Sequence, residues 1–194
     1  MRIIVDQDGV IANWGKQWDL YLDTMDGTDR IPRHREQRSF DLKAGLDDDE
    51  RRIIDDVMAT PGFYADLEPI DGAIEGLHHL VALGHDVRIC TSPWVSNPTC
   101  ASDKLNWVGK HLGQEWMKRT IITFDKTITR GDFLIDDKPQ VTGSMKPEWE
   151  HVLFDQPYNQ SVTNGQYRIM DWSVVEVEMV EYYMDTMRGV SSLV

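Results

Sequence analysis

Positively charged residues are scarce in this chain. Its 194 residues include 20 Lys+Arg against 33 Asp+Glu, which gives a formal net charge of −13. Binding to a nucleic-acid polymer requires clustered Lys and Arg opposite the backbone phosphates, and anionic membrane surfaces attract basic segments for the same reason. We therefore expect neither as a partner, and an anionic ligand would have to find local positive charge.

The chain also has few cysteines and no long apolar run. Two cysteines, Cys90 and Cys100, form no disulfide framework, which predicts a reducing cytoplasm. No apolar run approaches the roughly 20 residues that span a bilayer. Asp6 and Asp8 interrupt the first apolar residues at once, so we expect no secretory signal. With 41% hydrophobic residues, the composition is that of an ordinary globular protein.

What the sequence does contain is an alternation of strand-like and helix-like stretches. Short β-rich runs, typical of buried parallel strands, occupy residues 1–6, 86–91, 119–123, 132–136 and 150–154. Helical periodicity covers residues 72–83 and 102–112, the second starting at Ser102. Strands that alternate with helices predict an α/β fold, with a parallel sheet flanked by helices.

One long segment breaks this alternation. Residues 14–70 contain no comparable β-rich run but have helical spacing, as over 14–25. We interpret this segment as a largely helical insertion that lies over the end of the first strand. The core would then consist of residues 1–13 and 71–194, and a helix is expected over 172–188.

Chemically informative residues follow the predicted strands. They are Asp6-Gln-Asp8-Gly9, Thr91-Ser92, Asp125-Lys126 and Asp136-Asp137. Ligands of open parallel sheets bind beyond the carboxyl ends of the strands. Crowded carboxylates need a cation, and oxygen ligands suit Mg²⁺. Hydroxyls and a lysine can hold phosphate oxygens.

This set of residues permits phosphoryl transfer, although each motif can also be interpreted as an ordinary structural feature. Asp6 can attack phosphorus, while Asp8 can protonate the leaving oxygen and later deprotonate water. Alternatively, the two aspartates form a turn after a strand, Thr91-Ser92 caps the next segment, and Asp136-Asp137 is a charge pair at a helix start.

The motifs resemble those of a known superfamily. Asp6-Gln-Asp8-Gly9-Val10, Thr91-Ser92, Lys126 and Asp136-Asp137, in that order, are similar to the four motifs of the haloacid dehalogenase-like (HAD) phosphohydrolases. More closely, residues 67–73, 89–93, 125–127, 134–137 and 149–154 resemble the 5′(3′)-deoxyribonucleotidases. The similarity extends over most of residues 1–159.

The resemblance implies a Rossmann-like HAD core with a helical cap. It also implies Mg²⁺-dependent hydrolysis of 5′-deoxyribonucleoside monophosphates through an aspartyl phosphate. Asp6 would be the nucleophile and Asp8 the general acid and base. The metal would be held by the Asp6 carboxylate, the Asp8 backbone carbonyl and a carboxylate of the fourth motif, Asp137 in preference to Asp136.

The same resemblance implies the remaining site residues. Thr91, Ser92 and Lys126 would hold the phosphate, with Lys104 as a second phosphate-contacting lysine. The residues expected to line the base pocket are Trp14, Phe40 and Tyr64. Members of the family are often dimers, which implies a homodimer here.

Two other functions stay open at this stage. One keeps the chemistry and changes the substrate to another small phosphomonoester, such as a sugar phosphate. The other is a catalytically inactive nucleotide-binding protein on the same scaffold. Retention of Asp6, Asp8, Lys126 and both aspartates of the fourth motif argues against the second alternative.

Overall fold

A six-stranded parallel sheet forms the centre of the computed structural model, which describes residues 1–163, 167–173, 182, 183 and 186. Its strands are β1 (Arg2–Val5), β2 (Asp86–Thr91), β3 (Thr120–Ile122), β4 (Phe133–Asp136), β5 (Glu150–Phe154) and β6 (Arg168–Ile169). The spatial order is β3-β2-β1-β4-β5-β6, and every pairing is parallel. The predicted α/β fold with a parallel sheet is confirmed.

Helices connect most of the strands. They are α1 (Trp14–Leu22), α2 (Asp48–Ala59), α3 (Ala73–Ala82), α4 (Cys100–His111) and α5 (Gln114–Met117), with 3-10 helices at His34–Glu36, Lys126–Ile128 and Pro157–Asn159. The helix predicted over residues 102–112 corresponds to α4, and the prediction that it starts at Ser102 was wrong. Its first residue is Cys100, and the Ser102 hydroxyl donates to the Thr99 carbonyl at 2.7 Å.

The register of the central strands brings their carboxyl ends to one edge of the sheet. Val5 of β1 lies opposite Ile89 of β2 and Ile135 of β4. Ile3, Ile4 and Val5 are fully buried. Ile3 and Val5 belong to the large hydrophobic core that includes helix residues, and Ile4 packs with Cys90, Leu134 and Trp149 on the other face. The residues that follow β1, β2 and β4 therefore emerge side by side.

Residues 14–70 leave and re-enter the sheet region at almost the same point. The Asn13 amide donates to the Glu68 carbonyl at 2.7 Å, and the Ile70 amide donates to the Ile11 carbonyl at 2.9 Å. The segment contains α1, α2 and the 3-10 helix at 34–36, joined by long loops. Trp18 and Ile54 of this segment share one hydrophobic core with the sheet. The division into cap and core stays a prediction.

The end of the chain is described only in part. Trp172 is buried and its indole nitrogen donates to the Val10 carbonyl at 2.7 Å, which fixes this point against the loop after β1. Most of the helix predicted over 172–188 lies outside the described residues. Within the described part, no helix is long and apolar enough to cross a membrane.

Candidate active site

A cavity of about 570 Å³ opens at the carboxyl ends of β1, β2 and β4, a size usual for small-molecule sites. All eleven site residues predicted from the sequence line it: Asp6, Asp8, Trp14, Phe40, Tyr64, Thr91, Ser92, Lys104, Lys126, Asp136 and Asp137. They come from the ends of strands, from the 14–70 segment, from α4 and from the 3-10 helix after β3. The fold thus collects residues that are up to about 130 positions apart.

Three of the aspartates form a tight carboxylate cluster. Asp6, Asp136 and Asp137 each offer an oxygen, and these atoms all lie within 4.8 Å of one another. Burial raises the pKa of Asp6 to about 6, against the lowering effect of Lys126. Burial, and then the charges of Asp136 and Asp6, raise the pKa of Asp137 well above its usual range. Such crowding is relieved by a cation, and an all-oxygen donor set fits Mg²⁺.

Lys126 lies beside this cluster, in the 3-10 helix after β3. Its ammonium group is 2.8 Å from Asp6 Oδ1 and 2.5 Å from Asp136 Oδ2. Burial lowers the pKa of Lys126, but the two carboxylates outweigh it and raise this pKa above its usual value. Lys126 therefore stays protonated in the cavity.

Asp8 has different partners from Asp6. Lys104 Nζ lies 2.5 Å from Asp8 Oδ2 and 2.9 Å from Thr91 Oγ1. The same ammonium is 5.0 Å from the centre of the Tyr64 ring, a cation–π distance. Lys104 is only 1% exposed, so this buried lysine joins α4 to the ends of β1 and β2.

Gly9 allows the chain to turn next to the cluster. Its φ is +72°, and a Cβ atom there would lie 2.7 Å from Asp137 Oδ2. Glycine adopts this left-handed conformation without steric cost. The absence of a side chain at position 9 thus brings the Asp8–Gly9 turn into close contact with Asp137.

Aromatic side chains form the remaining walls. Trp14 stacks on Trp18 with ring centres 5.2 Å apart, and Tyr64 is 2% exposed. Phe40 is 44% exposed and lies with its ring 5.8 Å from the ring of Tyr158. The Ser92 hydroxyl donates to the Thr123 carbonyl at 2.8 Å, a hydrogen bond that it would have to exchange in order to donate to a phosphate.

The sequence reasoning missed several cavity residues. The hydroxyl of Tyr158 donates to Asp137 Oδ2, and the cavity is also lined by His34, Gln37 and Trp94. Tyr158 follows β5 at the same sheet edge, so the rule that located the other strand-end residues would have found it. Gln37 and His34 have no such signal, because they arrive from a loop of the 14–70 segment.

Comparison with known proteins identifies the family. The model of the family "5′ nucleotidase, deoxy (Pyrimidine), cytosolic type C protein" matches residues 1–183. The chain belongs to this family. The predicted membership among deoxyribonucleotidase-like phosphoric monoester hydrolases is thereby confirmed.

Individual relatives agree with this assignment. A Bordetella bronchiseptica protein named "Putative 5′(3′)-deoxyribonucleotidase" is 38% identical over 173 residues, which cover 89% of this chain and 91% of that protein. The human "5′(3′)-deoxyribonucleotidase, cytosolic type" is 35% identical over 186 residues, covering 89% and 90%. A HAD-like hydrolase structure from Xanthomonas campestris covers 97% of each chain with a TM-score of 0.56 at 11% identity, which confirms the fold alone.

Proposed function

We propose that this protein is a Mg²⁺-dependent phosphatase that hydrolyses 5′-deoxyribonucleoside monophosphates to nucleoside and phosphate through an aspartyl phosphate. The observation that carries the proposal is the difference between two aspartates of one turn. Asp6 belongs to the carboxylate cluster and pairs with Lys126, whereas Asp8 pairs with Lys104 beside Thr91. Two carboxylates in distinct environments suit two distinct roles. The family and the names of the relatives support the choice of substrate.

In the proposed first half-reaction, an oxygen of Asp6 forms a bond to phosphorus while the bond between phosphorus and the 5′ oxygen breaks. Asp8 gives a proton to that leaving oxygen. In the second half-reaction, Asp8 takes a proton from water, and the water oxygen attacks phosphorus and releases Asp6 together with inorganic phosphate. Thr91, Ser92, Lys104 and Lys126 would hold the phosphate.

The carboxylates of Asp6 and Asp137 and the Asp8 carbonyl would hold Mg²⁺, whose charge would offset that of the phosphoryl oxygens. Asp137 is the better direct ligand of the two neighbouring aspartates. Asp136 already engages both oxygens, since Oδ2 pairs with Lys126 and Oδ1 accepts from the Lys138 amide at 2.9 Å. The Asp137 carboxylate, in contrast, accepts a hydrogen bond from the Tyr158 hydroxyl at Oδ2, and Oδ1 is the oxygen that would bind the cation.

Phosphate release from a substrate panel tests the proposal. The panel contains dUMP, dTMP, the matching ribonucleotides and sugar phosphates, each with Mg²⁺ and with a chelator. We expect release from the deoxynucleotides that requires Mg²⁺. Preference for a sugar phosphate would redirect the substrate, and nucleotide binding without release would indicate an inactive binding protein.

Asp6→Asn tests the nucleophile. The substitution keeps the size of the side chain and removes its negative charge, so turnover should disappear while the thermal unfolding profile is retained. Trapping of labelled phosphate on the protein should succeed with the unmodified chain and fail with this variant. Retained turnover would contradict the role of Asp6.

The cellular location and the oligomeric state of the enzyme are also proposed from the family. The cytosolic-type name of the human relative and the lack of a disulfide between Cys90 and Cys100 support a cytoplasmic enzyme that acts on free nucleotides. The homodimer stays a prediction, and light scattering in solution would test it.

A further inference from the structure

The amide group of Gln37 is buried in the wall of the cavity without a partner among the described residues. Gln37 is 3% exposed and lines the cavity. Within the described part of the chain, neither its Nε2 nor its Oε1 has a hydrogen-bond partner. Burying an amide unpaired costs about 1–3 kcal/mol per polar group, so each such group in a native protein calls for an explanation. A ligand that enters the cavity would provide one.

The loop that carries Gln37 is held firmly at both ends. His34 and Phe40 place their rings 6.0 Å and 5.8 Å from the ring of Tyr158. His34 Nε2 also lies 3.0 Å from Gln156 Oε1, and a Cβ atom at Gly15 would lie 2.3 Å from the His34 ring. The loop therefore packs tightly on the residues after β5, and Gln37 is preorganised in its centre.

Gln37 differs from the other unpaired groups in the cavity wall. Buried polar atoms without partners in the described structure also include Asp8 Oδ1, His34 Nδ1 and Trp94 Nε1. A carboxylate oxygen only accepts, an indole nitrogen only donates, and a ring nitrogen does one or the other. Among these groups, Gln37 alone offers an adjacent donor and acceptor in one plane.

We propose that the Gln37 amide hydrogen-bonds the edge of the nucleobase and so determines how the enzyme distinguishes its substrates. A base edge presents neighbouring donor and acceptor atoms, which a planar amide can match with two hydrogen bonds. The phosphate, in contrast, calls for the cationic groups of Lys104 and Lys126. This inference rests on the proposed function, because it assumes that a nucleotide occupies the cavity.

Gln37→Leu tests the inference, since leucine keeps most of the volume and removes both polar atoms. Gln160→Leu is the matched control, because Gln160 is exposed and does not line the cavity. The substrates are dUMP and 2-deoxyribose 5-phosphate, which carries the same sugar and phosphate without a base. Thermal unfolding of both variants reports on their folding.

For Gln37→Leu, kcat/KM for dUMP should fall about tenfold, as expected for one or two lost hydrogen bonds, mostly through KM. With 2-deoxyribose 5-phosphate, kcat/KM should be the same as for the unmodified protein, and Gln160→Leu should change neither value. Equal losses on both substrates, or no loss on dUMP, would overturn the role of Gln37 in reading the base. Absence of phosphate release from every nucleotide by the unmodified protein would instead overturn the proposed function, and this inference with it.

Discussion

Gly9→Ala should disturb both the backbone of the turn after β1 and the carboxylate cluster beside it. Gly9 has a φ of +72°, and an added Cβ would lie 2.7 Å from Asp137 Oδ2 and 3.0 Å from the Tyr158 hydroxyl. The change therefore combines a conformational cost with a collision at the carboxylate cluster. Gly84→Ala separates the two effects, because Gly84 has a φ of +90° and open space around its Cβ position.

Both variants should lose stability, Gly9→Ala the more because of its collision, and only Gly9→Ala should lose activity. A residue with a Cβ in the left-handed region costs about 1–2 kcal/mol, which applies to both positions. At Gly9, an ordinary contact of at least 3.4 Å requires Asp137 to retreat by about 0.7 Å, and misplacement by 1 Å can cost about 100-fold in rate. We expect a loss of that order for Gly9→Ala and near-normal activity for Gly84→Ala.

Three measurements together test this reasoning. Urea unfolding gives the stability of each variant, and phosphate release from dUMP gives kcat. The rise in melting temperature with added Mg²⁺ reports on the proposed metal site without turnover. The Mg²⁺ effect should be reduced in Gly9→Ala and retained in Gly84→Ala. If both variants keep normal kcat and the same response to Mg²⁺, the close packing of Gly9 on Asp137 does not support catalysis.

Two further predictions concern buried polar and thiol groups. Asn97 donates to the carbonyls of Met58 at 3.0 Å and Thr60 at 2.7 Å, so Asn97→Ala should destabilise the fold by about 2 kcal/mol. Urea unfolding measures this loss. The control Asn106→Ala, at an exposed position, should change the stability little. Burial raises the pKa of Cys90 to about 12 and that of Cys100 to about 11, so little thiolate forms at pH 8. Iodoacetamide should therefore label the two thiols only after unfolding, and rapid labelling of the folded protein would contradict this.

The sheet was predictable because its signals are local. The second strand was expected at 86–91 and is found at Asp86–Thr91, and the first was expected at 1–6 and is found at Arg2–Val5. Buried parallel strands are continuous apolar runs, which a sequence displays directly. In contrast, α5 (Gln114–Met117) and β6 (Arg168–Ile169) have four and two residues. One helical turn is too short to show a helical period, and the two residues of β6 are too few to form an apolar run.

The residues of the candidate site differ in the same way: some have a local sequence signal and others do not. Asp6, Thr91 and Asp136 lie at strand ends, so the topology alone brings them together once the strands are known to be parallel. The position of Gln37 depends on packing of a loop against Tyr158, about 120 residues away in the chain. No local pattern encodes such a contact. Its unpaired amide becomes visible only when the hydrogen bonds of the folded chain are known.

Charge shows most clearly why global composition is a poor guide to this site. The chain as a whole carries −13, yet the cavity wall holds five carboxylates and four ammonium groups: Asp6, Asp8, Asp41, Asp136, Asp137, Lys43, Lys104, Lys126 and Lys138. With every one of these groups ionised, the formal net charge around the cavity is −1, which a single divalent cation would reverse. The affinity for a phosphate dianion should therefore depend on the metal far more than on the charge of the remaining surface, which bulk salt screens over about 10 Å.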